Sequence, residues 1–188
     1  MSDSQDHDTL RGSNNGAGFT LMELLVVIAI IGILASILFP AATSALNGAK
    51  KTTAKNQTVQ IATALTAYET EYGHFPTNTT GLMDSSLVTI LCTTNGDTND
   101  NPRGILFLEA TAWKTGKGGT NGDGGFCDPF QSNTPYYVAM DTGYTNSISV
   151  PAQSTPGGPT TMSNLTKHVG VWTIWTNGTN QWLIDSWD

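Results

Sequence analysis

Charge is scarce in this chain. Only 12% of its 188 residues are charged and its eight lysines and arginines are scattered, which excludes the clustered basic footprint that neutralises nucleic-acid phosphates. Cysteine is nearly absent. Cys92 and Cys127 are too few for a disulfide-dense scaffold and lack the C-x-x-C spacing of a redox or zinc pair. In an oxidising compartment one bridge would close a loop of roughly 35 residues and contribute on the order of 3–4 kcal/mol. Two buried thiols are the other reading, and spacing alone does not place two Cα atoms within bonding reach. No nucleophile elbow, P-loop or HExxH pattern occurs. Histidine is limited to His7, His74 and His168, so nothing argues for an enzyme. The excess of acid, net charge −7, and the Gly, Thr and Asn residues after Gly73 suit a turn-rich exported domain of modest size.

What the chain does have is one long apolar run. From Phe19 to Phe39 only Thr20, Glu23 and Ser36 are polar, and about 20 residues of helix span roughly 30 Å, one bilayer core. A cleaved secretory signal would have a shorter apolar segment with its processing site behind it. Here the processing-like junction Gly18-Phe19 precedes the run. An ordinary anchor has no need of Glu23, because a carboxylate at membrane depth is costly and is usually paired and functional.

The stretch GFTLMELLVVIAIIGILASILFP resembles the class III signal of type IV pilins and type II secretion pseudopilins. In that family a polar leader ends in glycine, a dedicated membrane peptidase cuts after it, and the fifth residue of the new chain is glutamate. The resemblance implies that residues 1–18 are a leader and that Phe19 becomes an N-methylated terminus. It implies that 19–40 is a transmembrane and filament-core helix, and that 41–188 is a periplasmic globular domain whose first part, 41–72, continues the helix. Glu23 then pairs with the Phe19 ammonium of a neighbouring subunit, neutralising it in a low-dielectric bundle and setting register. Gly32 and Pro40 bracket the segment that melts in such filaments, and both weaken a helix.

Further on, Ile61, Leu65, Tyr68 and Tyr72 recur at helical spacing and predict an apolar stripe that packs on a sheet. Lys50, Lys51 and Lys55 fall opposite it, as a solvated face or as partners for acids of adjacent subunits. Gly73 with Pro76 just beyond predicts the helix end. The segment AYETEYGHFPTNTTGLMDSSL is similar to the helix-end pattern of the major, G-type pseudopilin, followed by a short helix. A turn at Asp128-Pro129-Phe130, a strand over 136–140, a strand over 169–176, a loop over 176–185 and a tryptophan-rich tail extend the likeness. It is strong from Gly18 to about Leu87, moderate over the last sixty or so residues and weak between, where 93–126 and 141–166 read as insertions. Val169, Val171, Thr173 and Trp175 alternate as a half-buried strand facing the helix stripe.

The resemblance also implies calcium in the loop after the penultimate strand. The oxygen donors there are Asn177, Thr179, Asn180 and Asp185, with Leu183 where the family carries a further aspartate, and Asn177 and Asp185 are the candidate ligands. DTNDNPRG, from Asp97, starts like a calcium loop but has Pro102 at the glycine position and Leu108 at the glutamate position. TNGDGGF reads as a glycine turn.

The expected fold is α+β and pilin-like: a long N-terminal helix, hydrophobic in its first half, packed on a small antiparallel sheet with a variable loop region. The function expected from the resemblance is that of a major pseudopilin in a short homo-oligomeric filament for protein export. Its partners would be a prepilin peptidase, minor pseudopilins and an inner-membrane assembly platform. It would be a single-pass inner-membrane protein with its C-terminal domain in the periplasm. Two alternatives stay open. One is a type IV pilin forming an extracellular fibre for adhesion, motility or DNA uptake, the one case with a nucleic-acid partner. The other is a membrane-tethered glycan-binding domain that uses Trp172, Trp175, Trp182 and Trp187.

Overall fold

The computed structural model describes residues 18–77, 80–94, 99–151, 162–177 and 180–187. The chain divides into two compact units, Met1–Thr43 and Ser44–Asp188. One α-helix, α1, runs over Leu21–Tyr72. It is followed by α2 (Ser85–Cys92) and seven strands: β1 (Gly119–Thr120), β2 (Phe126–Cys127), β3 (Tyr137–Met140), β4 (Ile148–Pro151), β5 (Met162–Leu165), β6 (Val169–Asn177) and β7 (Asn180–Asp185).

In the first unit every residue from Gly18 to Thr43 is exposed, including Phe19 at 78% and Phe39 at 75%. An apolar helix with no buried face is long enough to cross a membrane. It is stable only where lipid or other apolar helices replace water. The helix continues through Pro40, whose missing N–H leaves the Ser36 carbonyl without its usual donor. The hydroxyls of Ser36 and Thr43 donate to the carbonyls of Ile33 (2.7 Å) and Pro40 (2.9 Å). The single chain is thus continuous across Gly32 and Pro40, and the melting expected there belongs to the filament.

In the second unit the expected stripe is the core. Ile61, Leu65 and Tyr68 are fully buried and pack with Val169 and Val171 of β6, Val138 of β3, and Met83, Leu87, Ile90 and Leu91 in and before α2. The helix ends as expected at Gly73, whose φ of +75° suits glycine and whose N–H donates to Glu69 O at 2.8 Å. α2 is started by Asp84, whose carboxylate accepts from the N–H groups of Ser86 and Leu87, both at 3.1 Å.

The central sheet has the antiparallel order β3-β6-β7, in register Val138↔Val171 and Trp175↔Trp182. The region 176–185, expected as a loop, is mostly strand β7. The Asn177-Gly178 dipeptide between two apolar runs is a hairpin signal in the sequence. The insertion expected over 141–166 also contains structure, the antiparallel pair β4-β5. Ile148 and Val150 from it are buried against Trp172, on the side of β6 away from Val171 because alternate residues face opposite ways. Gly170 permits this approach, since a Cβ there would lie 2.8 Å from Ile148 Cδ1 and 3.1 Å from Val150 Cγ1.

Candidate functional site

The start of α1 is organised around Thr20 and Glu23. The Thr20 N–H and hydroxyl both donate to Glu23 Oε2 at 2.8 Å, and the Glu23 N–H donates back to Thr20 Oγ1 at 3.2 Å. This reciprocal arrangement is a capping box, which satisfies donors that the first turn of a helix leaves without partners. Thr-x-x-Glu before an apolar run is a sequence signature of it. Glu23 therefore has a local task inside one chain as well as the one expected between chains. Its carboxylate is held three residues from Thr20, beside an exposed Gly18-Phe19 junction. Nothing lies within 4 Å of where a Cβ on Gly18 or Gly32 would be.

The two cysteines are free thiols. Cys92 closes α2 half-buried on the main core, while buried Cys127 in β2 directs Sγ toward the carbonyls of Ser132 (3.4 Å) and Gly125 (3.6 Å). The bridge considered from sequence is not formed: Cys92 packs on the main core while Cys127 directs its sulfur at two carbonyls. Burial pushes both thiols up to about 11, helped at Cys127 by the charges of Asp128 and Asp123. Relative to an ordinary value of 9.0, about a hundredfold less thiolate is present at mildly alkaline pH. We expect iodoacetamide at pH 8 to leave both thiols of the folded protein unmodified and to alkylate both after unfolding, read by intact mass. A bridged pair would take up no label in either state.

Asn177 and Asp185, the candidate calcium ligands, are not brought together. Asn177 is in register with Asn180, and Asp185 with Trp172, so five residue steps of roughly 3.3 Å separate the two positions along the hairpin. Asp185 is already engaged by Lys55 Nζ at 3.5 Å and by the Trp187 N–H at 3.1 Å. Calcium takes six to eight oxygens, and among the described residues no three His, Cys, Asp or Glu side chains group to hold a metal. Thr179 lies outside the described residues, and Asn177 and Asp185, held apart, do not together fit the ion.

Asp97, which opens the second calcium-like motif, lies outside the described residues. Asn101, within that motif, is buried. Its amide donates to the Ile90 and Ile105 carbonyls at 2.9 Å, and its oxygen accepts from Ile105 N and the Tyr72 hydroxyl. It is a structural tie between loop and helix. Asn121 organises the glycine turn expected around Asp123 by accepting from the N–H groups of Asp123 and Gly125.

The lysines are not a free solvated face. Lys51 Nζ sits 4.3 Å from the ring centre of Trp175 and 4.5 Å from that of Trp182, Lys50 lies over Phe130, and Lys55 meets Asp185. The helix turns these residues toward the sheet, where aromatic faces and a carboxylate hold them. The tryptophans are likewise used internally. Trp175 and Trp182 stack at 4.5 Å, and Trp172 stacks on Tyr137 at 5.6 Å and meets Trp187 edge-on at 6.0 Å. Trp172 and Trp175 are buried, so those two are not presented as a platform for a sugar.

Two buried carboxylates escaped notice as site residues in the sequence. Asp128, in the expected turn, accepts from the N–H groups of Phe130 (2.7 Å) and Gln131 (3.0 Å) and from the Thr173 hydroxyl. Its burial raises its pKa, against the opposing pull of those three bonds. At Asp141 desolvation pushes upward, but bonds from Thr145, Asn146 and Ser147 outweigh it and hold the carboxyl below its usual range.

Residues 13–39 match the family model of the prokaryotic N-terminal methylation motif. The chain is similar to the type II secretion system core protein G of Escherichia coli, 38% identical over 73 residues, covering 39% of this chain and 50% of that one. It is also similar to the protein of the same name from Pseudomonas aeruginosa, 41% identical over 66 residues, covering 35% of this chain and 46% of that one. The chain thus spans about half the length of the curated relatives it matches. No solved structure matches it.

Proposed function

We propose that this chain, a pseudopilin of the major, G type, is a structural subunit that polymerises into a short helical filament of a type II secretion system. In this reading residues 1–18 are a leader and a prepilin peptidase cuts after Gly18. Phe19 becomes a methylated terminus, residues 19–40 store the subunit in the inner membrane, and residues 41–188 form the periplasmic part. Minor pseudopilins and an inner-membrane platform would complete the assembly.

The observation that supports this most is a helix start with three features together. A glycine-phenylalanine junction is exposed, a carboxylate is held one turn inside it, and an apolar helix with no buried face follows. Burying roughly 20 apolar side chains against other copies supplies the cohesion of such a filament. Inside it the Phe19 ammonium would be expensive without a counter-charge.

Mass spectrometry of the N-terminus from native cells tests the reading. A chain beginning at methylated Phe19 is expected. One that still begins at Met1 in cells containing an active prepilin peptidase overturns it.

A further inference from the structure

The resemblance to G-type pseudopilins implies a divalent cation in the stretch 176–185, whose candidate ligands Asn177 and Asp185 are not brought together. The hairpin is fastened by other means. Lys51, Ala54, Lys55 and Thr58 lie on one side of α1, and each touches β6 or β7 within the same compact unit. Lys51 caps the stacked Trp175–Trp182 pair at 4.3 and 4.5 Å, and Phe130 extends that aromatic row with its ring centre 5.1 Å from Trp175. Ala54 is fully buried against Trp175 and Ile184. Lys55 reaches Asp185 at 3.5 Å, and the buried Thr58 hydroxyl donates to Asp185 O at 3.0 Å.

Two consequences follow from elementary electrostatics. An ammonium over two tryptophan faces is attracted by both ring quadrupoles, and the attraction strengthens as water is excluded. Trp175 is 9% exposed, so its face is largely dry. The same ammonium groups repel a second cation, and the single carboxylate in the stretch already has a lysine beside it. The positive charge that would draw the hairpin onto the helix is thus covalently part of α1.

We infer that Lys51 on the Trp175–Trp182 pair, with Lys55 on Asp185, is an ammonium clasp that joins α1 to the β6-β7 hairpin and takes the place of a divalent cation. The clasp makes folding of the Ser44–Asp188 unit independent of calcium. It holds whether or not the chain polymerises, so it stands or falls apart from the filament proposal.

The test uses the full chain in detergent micelles, with melting followed by tryptophan fluorescence. Millimolar calcium and excess EGTA are expected to give the same Tm within about 1 °C, since an ion that binds only the folded state must raise Tm. Lys51→Met keeps the aliphatic stem but loses the charge. It is expected to lower Tm by about 5 °C and to shift the tryptophan emission, whereas Lys51→Arg keeps a cation over the rings and stays close to the parent. A rise of several degrees with calcium in the unmutated chain overturns the inference. So does a Lys51→Met protein that melts with the parent, or a Lys51→Arg protein no better than the methionine variant. Should the methionine variant fail to accumulate, the calcium titration and the arginine variant still decide.

Discussion

If the chain polymerises as proposed, Glu23→Gln is expected to give no filaments while it is still inserted, cleaved and folded. Glutamine can replace glutamate in a capping box, so the bonds between Thr20 and residue 23 survive in kind and the start of α1 is preserved. What is lost is the negative charge. In the proposed bundle of apolar helices the Phe19 ammonium would then have no counter-ion, and removing one partner of a buried pair is far more damaging than never having had the pair. Because the same loss recurs at every added subunit, filament yield is expected to fall at least about a hundredfold. Thr20→Ala makes the opposite separation, removing the cap while keeping the carboxylate, and should reduce yield only modestly. Counting sheared filaments beside the N-terminal mass of each variant checks this. Normal filaments from Glu23→Gln would leave the capping box as the whole role of Glu23.

Asp128→Ala should nearly unfold the second unit. The change leaves two part-buried N–H groups and the buried Thr173 hydroxyl without their acceptor, and each buried orphan costs on the order of 1–3 kcal/mol. A loss of about 3–5 kcal/mol is a large part of the stability of any domain this size. Asp128→Asn keeps an acceptor for the turn and should cost little.

The two variants also separate charge from hydrogen bonding through pH. The folded-state pKa of Asp128 is raised from 3.8 by burial, so between 3.8 and the raised value the folded chain holds more protons than the unfolded one. Stability from this residue therefore increases as pH falls through that window and is lost as pH rises through it. Asp128→Asn has no such proton to bind, so its stability relative to the parent should improve as pH rises. Urea denaturation at neutral and mildly acidic pH measures both effects. An asparagine variant as unstable as the alanine variant would sink the argument.

Much of the architecture was legible without coordinates, and for a common reason. Ile61, Leu65 and Tyr68 could be assigned to the core because helical spacing puts them on one face. Val169 and Val171 could be set opposite them because strand residues alternate. Gly73 could be placed at the helix end because only glycine adopts its backbone angle cheaply. These are properties of a few neighbouring residues. The resemblance obscured as much as it revealed farther along, where β7 was expected as a loop and the β4-β5 pair as an insertion. The capping box was also legible, in Thr20 and Glu23 three apart, but attention to the carboxylate's cost in a membrane hid its local use.

By itself, then, the sequence determined where the chain is apolar, where its long helix starts and stops, and which stripe of that helix is buried, since each depends on spacings of a few residues that any folded form must respect. The tertiary structure alone decided what the polar groups do: Lys51 rests on tryptophans 124 and 131 positions away, Asp128 receives a hydroxyl from Thr173, and Thr58 reaches the carbonyl of Asp185. A charged or hydroxylated side chain is compatible with water, an ion or a partner across the core. Which of these it meets is set by the packing of apolar surfaces far from it in the chain.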